Sequence, residues 1–266
     1  MKILLLGKNG QVGWQLQRAL APLGEVIALD REGDNDLSGD LTDLDGLKST
    51  VLSVQPDIVV NAAAYTAVDK AESDMDLAKT VNSDAPTLLA ELCVQIGALF
   101  IHYSTDYVFN GSGETPWTEE QSIDPLNVYG KTKAGGEQGI AQSGCNHLIF
   151  RTSWVFASKG NNFAKTMLRL ASDRDTLNVI GDQIGAPTGA ELISDITAQA
   201  IPKIMADKNL SGIYHLAASG ETSWHEYASY VIEQARQMGQ ELKCTQINAI
   251  PTTEYPTPAP RPLNSR

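Results

Sequence analysis

Lys2-Ile-Leu-Leu-Leu6, Gly7-Lys-Asn-Gly10-Gln-Val-Gly13 and Trp14-Gln-Leu-Gln-Arg-Ala-Leu20 decide the fold. The first run is apolar and of strand length, the second is a glycine turn, and the third reads as a helix. Glycines at these positions allow a tight turn and a close backbone approach to a pyrophosphate, whose charge the free amides at the helix start attract. The spacing is GxxGxxG, and a turn that merely needs small residues is the plainer reading of Gly7, Gly10 and Gly13. A second strand, Glu25-Val-Ile-Ala-Leu-Asp30, ends in an acid where a dinucleotide fold wants a partner for the adenosine ribose. Arg31 beside it can neutralise a 2′-phosphate, so Asp30 argues for NADH while Arg31 tolerates NADPH.

Outward from this unit, strands alternate with helical stretches, the pattern of a parallel sheet with right-handed crossovers. Pro56-Asp-Ile-Val-Val60 leads into Asn61-Ala-Ala-Ala64, whose small side chains let a ligand lie close to backbone. Residues 69–96 read as one helix on the spacing of Leu77, Val81, Leu88, Leu89 and Leu92. The strand Ala98–Tyr103, a long turn-rich loop from Asn110 to Pro125 and the strand His147–Arg151 follow. Beyond Arg151 the alternation loosens, with helices expected over 162–171, 190–205 and 224–238.

Two further stretches carry chemistry. In Tyr129-Gly-Lys-Thr-Lys133 a phenol and an ammonium stand four apart, on one face of a helix. A tyrosine holds its proton to a pH near ~10, and a cation beside it favours the phenolate. In Ala98-Leu-Phe-Ile-His-Tyr-Ser-Thr-Asp-Tyr107 a strand runs into hydroxyls at its carboxyl end, where open α/β sheets place ligands. Adjacent strand residues face opposite sides, so one of Ser104 and Thr105 reaches a site there. Taken singly, a strand-end cap, a buried phenol and a solvated lysine are ordinary features; their conjunction behind a nucleotide turn points to proton transfer. His102, inside the strand pattern, reads as a satisfied core residue.

The 266 residues are 42% hydrophobic and 20% charged, which describes a globular chain. No apolar run approaches the ~20 residues that span a bilayer, and the start is a strand, not a signal peptide. A net charge of −12 disfavours nucleic acid and anionic membranes as partners. Cys93, Cys145 and Cys244 are scattered without a CxxC, which suggests reduced thiols and a cytoplasmic setting. The four histidines show no metal-ligand spacing, and no metal is expected.

GxxGxxG, Asn61-Ala-Ala-Ala64, Ser104-Thr-Asp106 and Tyr129-xxx-Lys133 together resemble the extended short-chain dehydrogenase/reductases that act on nucleotide sugars. More specific strings extend the resemblance over nearly the whole chain, among them Arg151-Thr-Ser-Trp-Val155, Asp182-Gln-Ile-Gly-Ala-Pro-Thr188 and Arg261-Pro-Leu-Asn-Ser265. It implies an α/β fold: a Rossmann-type doubly wound parallel sheet over 1–150, with a smaller substrate-binding α/β domain mostly over 151–266, the two interleaved. It implies NADPH or NADH as cofactor, contacted by Gly7, Gly10, Gln11, Val12, Gly13, Asp30, Asp40, Leu41, Ala64, Tyr65, Thr66, Tyr103, Tyr129 and Lys133. The implied catalytic residues are Tyr129, Lys133 and Thr105. The implied substrate is a dTDP-linked 4-keto-6-deoxy sugar, contacted by Thr105, Asp106, Trp154, Asn162 and Arg261, whose reduction feeds surface polysaccharide. From the residues, Asn162 reads equally as a helix cap, Trp154 as core, and the five prolines of 251–262 as a flexible linker, where the resemblance implies a pocket-lining loop. Tyr107 stands where related dehydratases place a glutamate, which favours simple reduction; a sister epimerase or a non-catalytic dinucleotide-binding subunit is the rival. Gln15 stands where some relatives carry an acid for an interface metal, which leaves a homodimer of that kind open. The family also implies a further helical segment after Arg266.

Overall fold

The computed structural model describes residues 1–266. β1 (Lys2–Leu6) turns at Gly7 into α1 (Gln11–Leu20), and β2 (Glu25–Leu29) returns parallel to β1 with Leu4 opposite Ile27. α2 (Leu44–Val54) starts where the Asp43 carboxylate accepts from Gly46 N at 2.9 Å, and β3 (Ile58–Asn61) follows.

The single helix expected over 69–96 is broken into α3 (Val68–Ala71), α4 (Met75–Lys79), a π turn over Thr80–Asp84 and α5 (Ala85–Ile96). Pro86 in the first turn of α5 has no N–H to give to the preceding turn. The widened turn aims Asn82 sideways, where its Oδ1 accepts from Tyr65 N at 2.9 Å and its Nδ2 donates to Tyr65 O at 3.0 Å. The break in helical period thereby fixes a loop some seventeen residues upstream.

β4 (Leu99–Thr105), α6 (Val128–Gln142) and β5 (His147–Thr152) come next, α6 capped by Asn127, whose Oδ1 accepts from Gly130 N at 2.8 Å. Beyond β5 lie the two-residue β6 (Val155–Phe156), α7 (Phe163–Asp173), β7 (Thr176–Ile180), and the short β8 (Ile184–Gly185) and β9 (Thr188–Gly189). Then come α8 (Ala190–Ala206), β10 (Gly212–His215), β11 (Thr222–Ser223), α9 (Trp224–Gln237) and β12 (Gln246–Ile250).

The main sheet has the order β2-β1-β3-β4-β5-β10, and every pairing in it is parallel. Helices cover both faces, which is why these strands read as continuous apolar runs. One face packs Leu4, Val59, Phe100 and Ile149 beneath α2 and α5; the other packs Ile3, Val60, Ile101 and Phe150 beneath α1 and α8. β10 and α8 both come from beyond residue 151, so the later chain completes the sheet begun by the earlier one. A smaller core, built from Met167, Ala171, Leu177, Val179, Ala228 and Ile232, joins α7 and α9 to the parallel pair β7 and β12. No helix is long and apolar enough to cross a membrane.

Strand β5 and helix α6 are joined by a buried ion pair. Arg151 Nε and Nη2 donate to the two Glu137 oxygens at 2.9 and 2.6 Å, and both residues are under 7% exposed. Removing one partner of such a pair strands a buried charge. Glu137→Ala is therefore expected to lower unfolding free energy by about 3–5 kcal/mol, read by urea denaturation. The double variant Glu137→Ala/Arg151→Leu should recover a large part of that loss, and an equal loss in both would show that the ion pair is not the cause.

Candidate active site

Between β1 and β3 the order of the sheet reverses, and α/β sheets bind ligands in the crevice at that switch point. A cavity of about 930 Å³ opens there and runs along the carboxyl ends of the strands to α6. Its floor is made possible by two glycines. Gly7 holds φ +89°, and a Cβ on it would stand 2.7 Å from Ala63 N; a Cβ on Gly13 would be driven into the Gly7 carbonyl. Gly10 caps α1 with no side-chain hydrogen bond, so the first-turn amides keep no side-chain partner on the cavity side.

Gly7, Gly10, Gln11, Val12, Asp30, Asp40, Leu41, Ala64, Tyr65, Thr66, Tyr103, Tyr129 and Lys133 line this one cavity, whereas Gly13 lies beneath it. At one end Asp30 accepts from Asn9 Nδ2 at 2.5 Å and stands 3.8 Å from Lys8 Nζ. Arg31 Nε donates to Asp40 at 3.1 Å. Against the opposing pull of partial burial, hydrogen bonds from Thr42 and Arg31 hold the Asp40 carboxyl below its ordinary value.

At the other end stand Tyr129 and Lys133, one helical turn apart. Burial, aided by the Asp106 charge and opposed by the Thr105 hydroxyl, pushes the Tyr129 phenol up to about 12. That direction is opposite to the one expected from a neighbouring cation. The reason is geometric: the Lys133 amine is turned to β4, donating to Tyr103 O at 2.6 Å and meeting His102 Nε2 at 3.1 Å. Burial, opposed by Glu137, brings Lys133 down to about 8.

Of the two strand-end hydroxyls, Ser104 lines the cavity, and its buried Oγ has no protein partner. The Thr105 hydroxyl donates to Asp106 at 2.9 Å and accepts from Tyr107 N at 3.2 Å, yet acts on the Tyr129 phenol from outside the lining.

The remaining residues implied for substrate lie around rather than in the main cavity. Asp106 borders a second cavity of about 40 Å³ that shares Thr152 with the first. Trp154 adopts φ +48° and stacks on Trp224 with centroids 3.5 Å apart, over Gly185. Asn162 both caps α7, through Lys165 N at 3.1 Å, and donates to the cavity-lining Gln11 at 3.0 Å. Arg261 pairs bidentately with Asp69 at 3.0 and 2.8 Å.

Sequence reasoning missed Asn9, Thr42, Lys70, Thr152 and Asn161 as lining residues. Asn9 sits inside the glycine turn and was findable there; Thr152 and Asn161 reach the cavity only through tertiary folding. His102 is buried and satisfied as expected, stacked on Phe100 with Asn61 at one ring nitrogen and the Lys133 amine at the other.

The family model described as RmlD substrate binding domain matches residues 1–266. A Shigella flexneri protein named dTDP-4-dehydrorhamnose reductase is 57% identical over 267 residues, covering 100% of this chain and 89% of the relative. Among solved structures, a Clostridium acetobutylicum dTDP-4-dehydrorhamnose reductase superposes with a TM-score of 0.87 at 36% identity, over 100% of this chain and 89% of that one. The Bacillus anthracis dTDP-4-dehydrorhamnose reductase, solved in complex with NADP, gives 0.87 at 34% identity, over 99% and 89%.

Asp106 provides a pH test of this geometry. Burial, opposed by hydrogen bonds from Ser265 and Thr105, raises its carboxyl to about 6. A carboxyl raised on folding contributes stability that is full below its unfolded value and is lost as pH rises through about 6. Asp106→Asn, which cannot ionise, is expected to flatten stability between pH 4 and 7 and to gain about 1–2 kcal/mol over the parent at pH 7. Urea midpoints across that range check it, and a variant that loses stability equally at every pH would refute the burial argument.

Proposed function

The chain belongs to the RmlD substrate binding domain family, and we propose that it reduces the 4-keto group of dTDP-4-dehydro-6-deoxy-L-mannose to dTDP-L-rhamnose with NADPH or NADH. The observation that carries this reading is one cavity that runs without interruption from the Gly7–Gly10 turn to Tyr129 and Lys133.

The residues present fit a nicotinamide dinucleotide. A cradle that a Cβ would fill at Gly7, open amides at the start of α1 and the acid Asp30 suit a pyrophosphate and an adenosine ribose. Gly10, Gln11 and Val12 would hold the pyrophosphate, Asp30, Asp40 and Leu41 the adenosine, Ala64, Tyr65, Thr66 and Tyr103 the flanks, and Lys133 the second ribose. When bound, that cofactor supplies the hydride that reduces the keto carbon.

Tyr129 is the proton donor to the oxygen left by hydride arrival. A phenol kept protonated through neutrality is in the form that a reduction consumes, and the buried setting keeps it so. Its transfer becomes easier once Lys133 leaves Tyr103 O and turns, protonated, towards the cavity, because a nearby cation stabilises the phenolate. Thr105 and Ser104 supply hydroxyls on either face of the strand end, Thr105 supporting the phenol and the unpartnered Ser104 open to a cavity ligand. The nucleotide sugar would lie against Asp106, Trp154, Asn162 and Arg261, on the side where the smaller core of α7 and α9 begins. Tyr107, at the place of a dehydratase glutamate, brings no second acid, which supports reduction over dehydration.

The deciding assay is loss of 340 nm absorbance with NADPH, and then NADH, on dTDP-4-dehydro-6-deoxy-L-mannose generated in the same tube. Oxidation yielding dTDP-L-rhamnose is expected, with Tyr129→Phe lowering turnover ~100-fold or more while cofactor affinity holds. Unchanged turnover in Tyr129→Phe would reject the proton donor. Thr105→Val should cost rate more than cofactor affinity, and an unaffected rate would move the role to Ser104. Gly13→Ala, which pushes α1 off the Gly7 carbonyl, should weaken NADPH binding by about tenfold or more, about 1.4 kcal/mol, measured by calorimetry.

A further inference from the structure

His102 touches no ligand cavity, yet the hydrogen bonds around it have a direction that the Lys133 amine must obey. Ala63 N donates to Asn61 Oδ1 at 3.1 Å. A backbone N–H can only donate, so this bond fixes the Asn61 amide, and its NH₂ is the group that faces His102 Nδ1 at 3.3 Å. His102 Nδ1 must then be the bare, accepting nitrogen. A neutral imidazole carries its one proton on the other nitrogen, Nε2, which stands 3.1 Å from Lys133 Nζ. An imidazolium is disfavoured: burial holds His102 well below its ordinary value, and Nδ1–H would oppose the Asn61 NH₂.

An Nε2–H aimed at Lys133 is satisfied only by the lone pair of a neutral amine. That amine still gives a hydrogen to Tyr103 O at 2.6 Å. The bonds therefore run one way, from Ala63 N–H through Asn61, His102 and Lys133 to the Tyr103 carbonyl. We infer that His102 is a positioning residue for Lys133, donating Nε2–H to the amine and favouring its neutral form in the cofactor-free chain. Protonating Lys133 requires the His102 proton to move to Nδ1, which sets it against the Asn61 amide and hence against the Asn61–Ala63 bond. Ala63 lines the cavity, so the charge of Lys133 and the seating of the cofactor wall are linked. This inference deepens the proposed reductase reading, in which Lys133 serves the cofactor and Tyr129.

The other charges near Lys133 do not supply the same effect. On α6, Glu137 opposes it and is held by Arg151 of β5, while Tyr129 is a neutral phenol. On β4 the Tyr103 phenol is bound to Thr197 at 2.8 Å. The acids and lysines of the elements packed outside α6 are paired among themselves, Lys70 with Asp74 and Lys79 with Asp84, and Asp69 with Arg261. Asp106, on the turn after β4, acts on Tyr129 and on Tyr107; Cys93 of α5 faces Cys145, and Glu91 and Asp76 are exposed.

Two readouts on the cofactor-free chain test this without any turnover. Two-bond proton–nitrogen correlations show which ring nitrogen of His102 bears the proton; the Nε2–H tautomer is expected above the Lys133 midpoint, and the Nδ1–H form throughout would overturn the inference. The Lys133 ¹³Cε titration, assigned by its absence in Lys133→Met, gives the sign. His102→Phe removes a donor, so the Lys133 midpoint should rise by about one pH unit. A fall would mean that Nε2 accepts from an ammonium, and no change would mean that His102 only fills space; either outcome overturns the proposal. If His102→Phe does not fold, the wild-type tautomer decides alone. Absence of reductase turnover, with both readouts as expected, would count against the proposed function and leave this inference standing.

Discussion

Everything at this site depends on how closely two backbones approach where the sheet reverses its order. The turn after β1 and the segment after β3 come together at Gly7 and Ala63, and the start of α1 comes down on the Gly7 carbonyl at Gly13. None of these contacts leaves room for a Cβ. The approach closes the bottom of the crevice while leaving the α1 amides uncapped by side chains above it. The same geometry orders the elements beyond: β3 and β4 continue on one side, so α6 crosses with Tyr129 and Lys133 over the far end of the crevice.

The second constraint is burial of charge along α6. Tyr129, Lys133 and Glu137 recur every four residues and form one inward stripe. A helix that buries a phenol, an amine and a carboxylate has to find each a partner. Glu137 finds Arg151 on β5, Lys133 finds Tyr103 O and His102 on β4, and the Tyr129 phenol stays protonated. The strand pair β4 and β5 is thus matched to the helix in polar as well as apolar terms. Low dielectric makes these couplings larger than their surface equivalents, which is why the direction of one hydrogen bond at His102 has consequences for the charge of Lys133.

Legibility from sequence follows the range of the physics involved. The glycine turn, the apolar strands and the i, i+4 pairing of Tyr129 with Lys133 are local, and each stands in the structure where its pattern places it. The stretch 69–96 looks like one helix in sequence because its apolar spacing runs through both the turn at 72–74 that parts α3 from α4 and the π turn, whose widening only the tertiary demand of Tyr65 on Asn82 reveals. The expected lowering of the Tyr129 phenol failed for a related reason: i, i+4 spacing places two side chains on one face but does not say which way the amine turns. His102 is the same case from the strand side. A strand pattern says that it is buried, and only the fold says against what. Trp154 carries no sequence sign of its left-handed backbone, which the stack on Trp224 sustains.

The proline-rich stretch 251–262 shows why composition alone misleads. Five prolines in twelve residues suggest a linker, since each removes a backbone donor that a sheet ladder needs. Here it is tied at intervals by partners that need no ladder. Pro260 O accepts from the α6 cap Asn127 at 2.7 Å, Arg261 pairs with Asp69, and beyond the prolines Ser265 donates to Asp106 at 2.5 Å. Asn264 fastens the long loop as well, taking Trp117 Nε1 at 3.1 Å and giving to Thr115 O at 2.9 Å. Prolines lose little backbone freedom on ordering, so a few side-chain anchors suffice to hold such a strap against the body. Its anchors fall on the α6 cap, on the turn bearing Asp106 and on the loop between, the surroundings of the Tyr129 end of the cavity. A segment that composition reads as a linker is, by its hydrogen bonds, a strap fastened beside the Tyr129 end of the cavity.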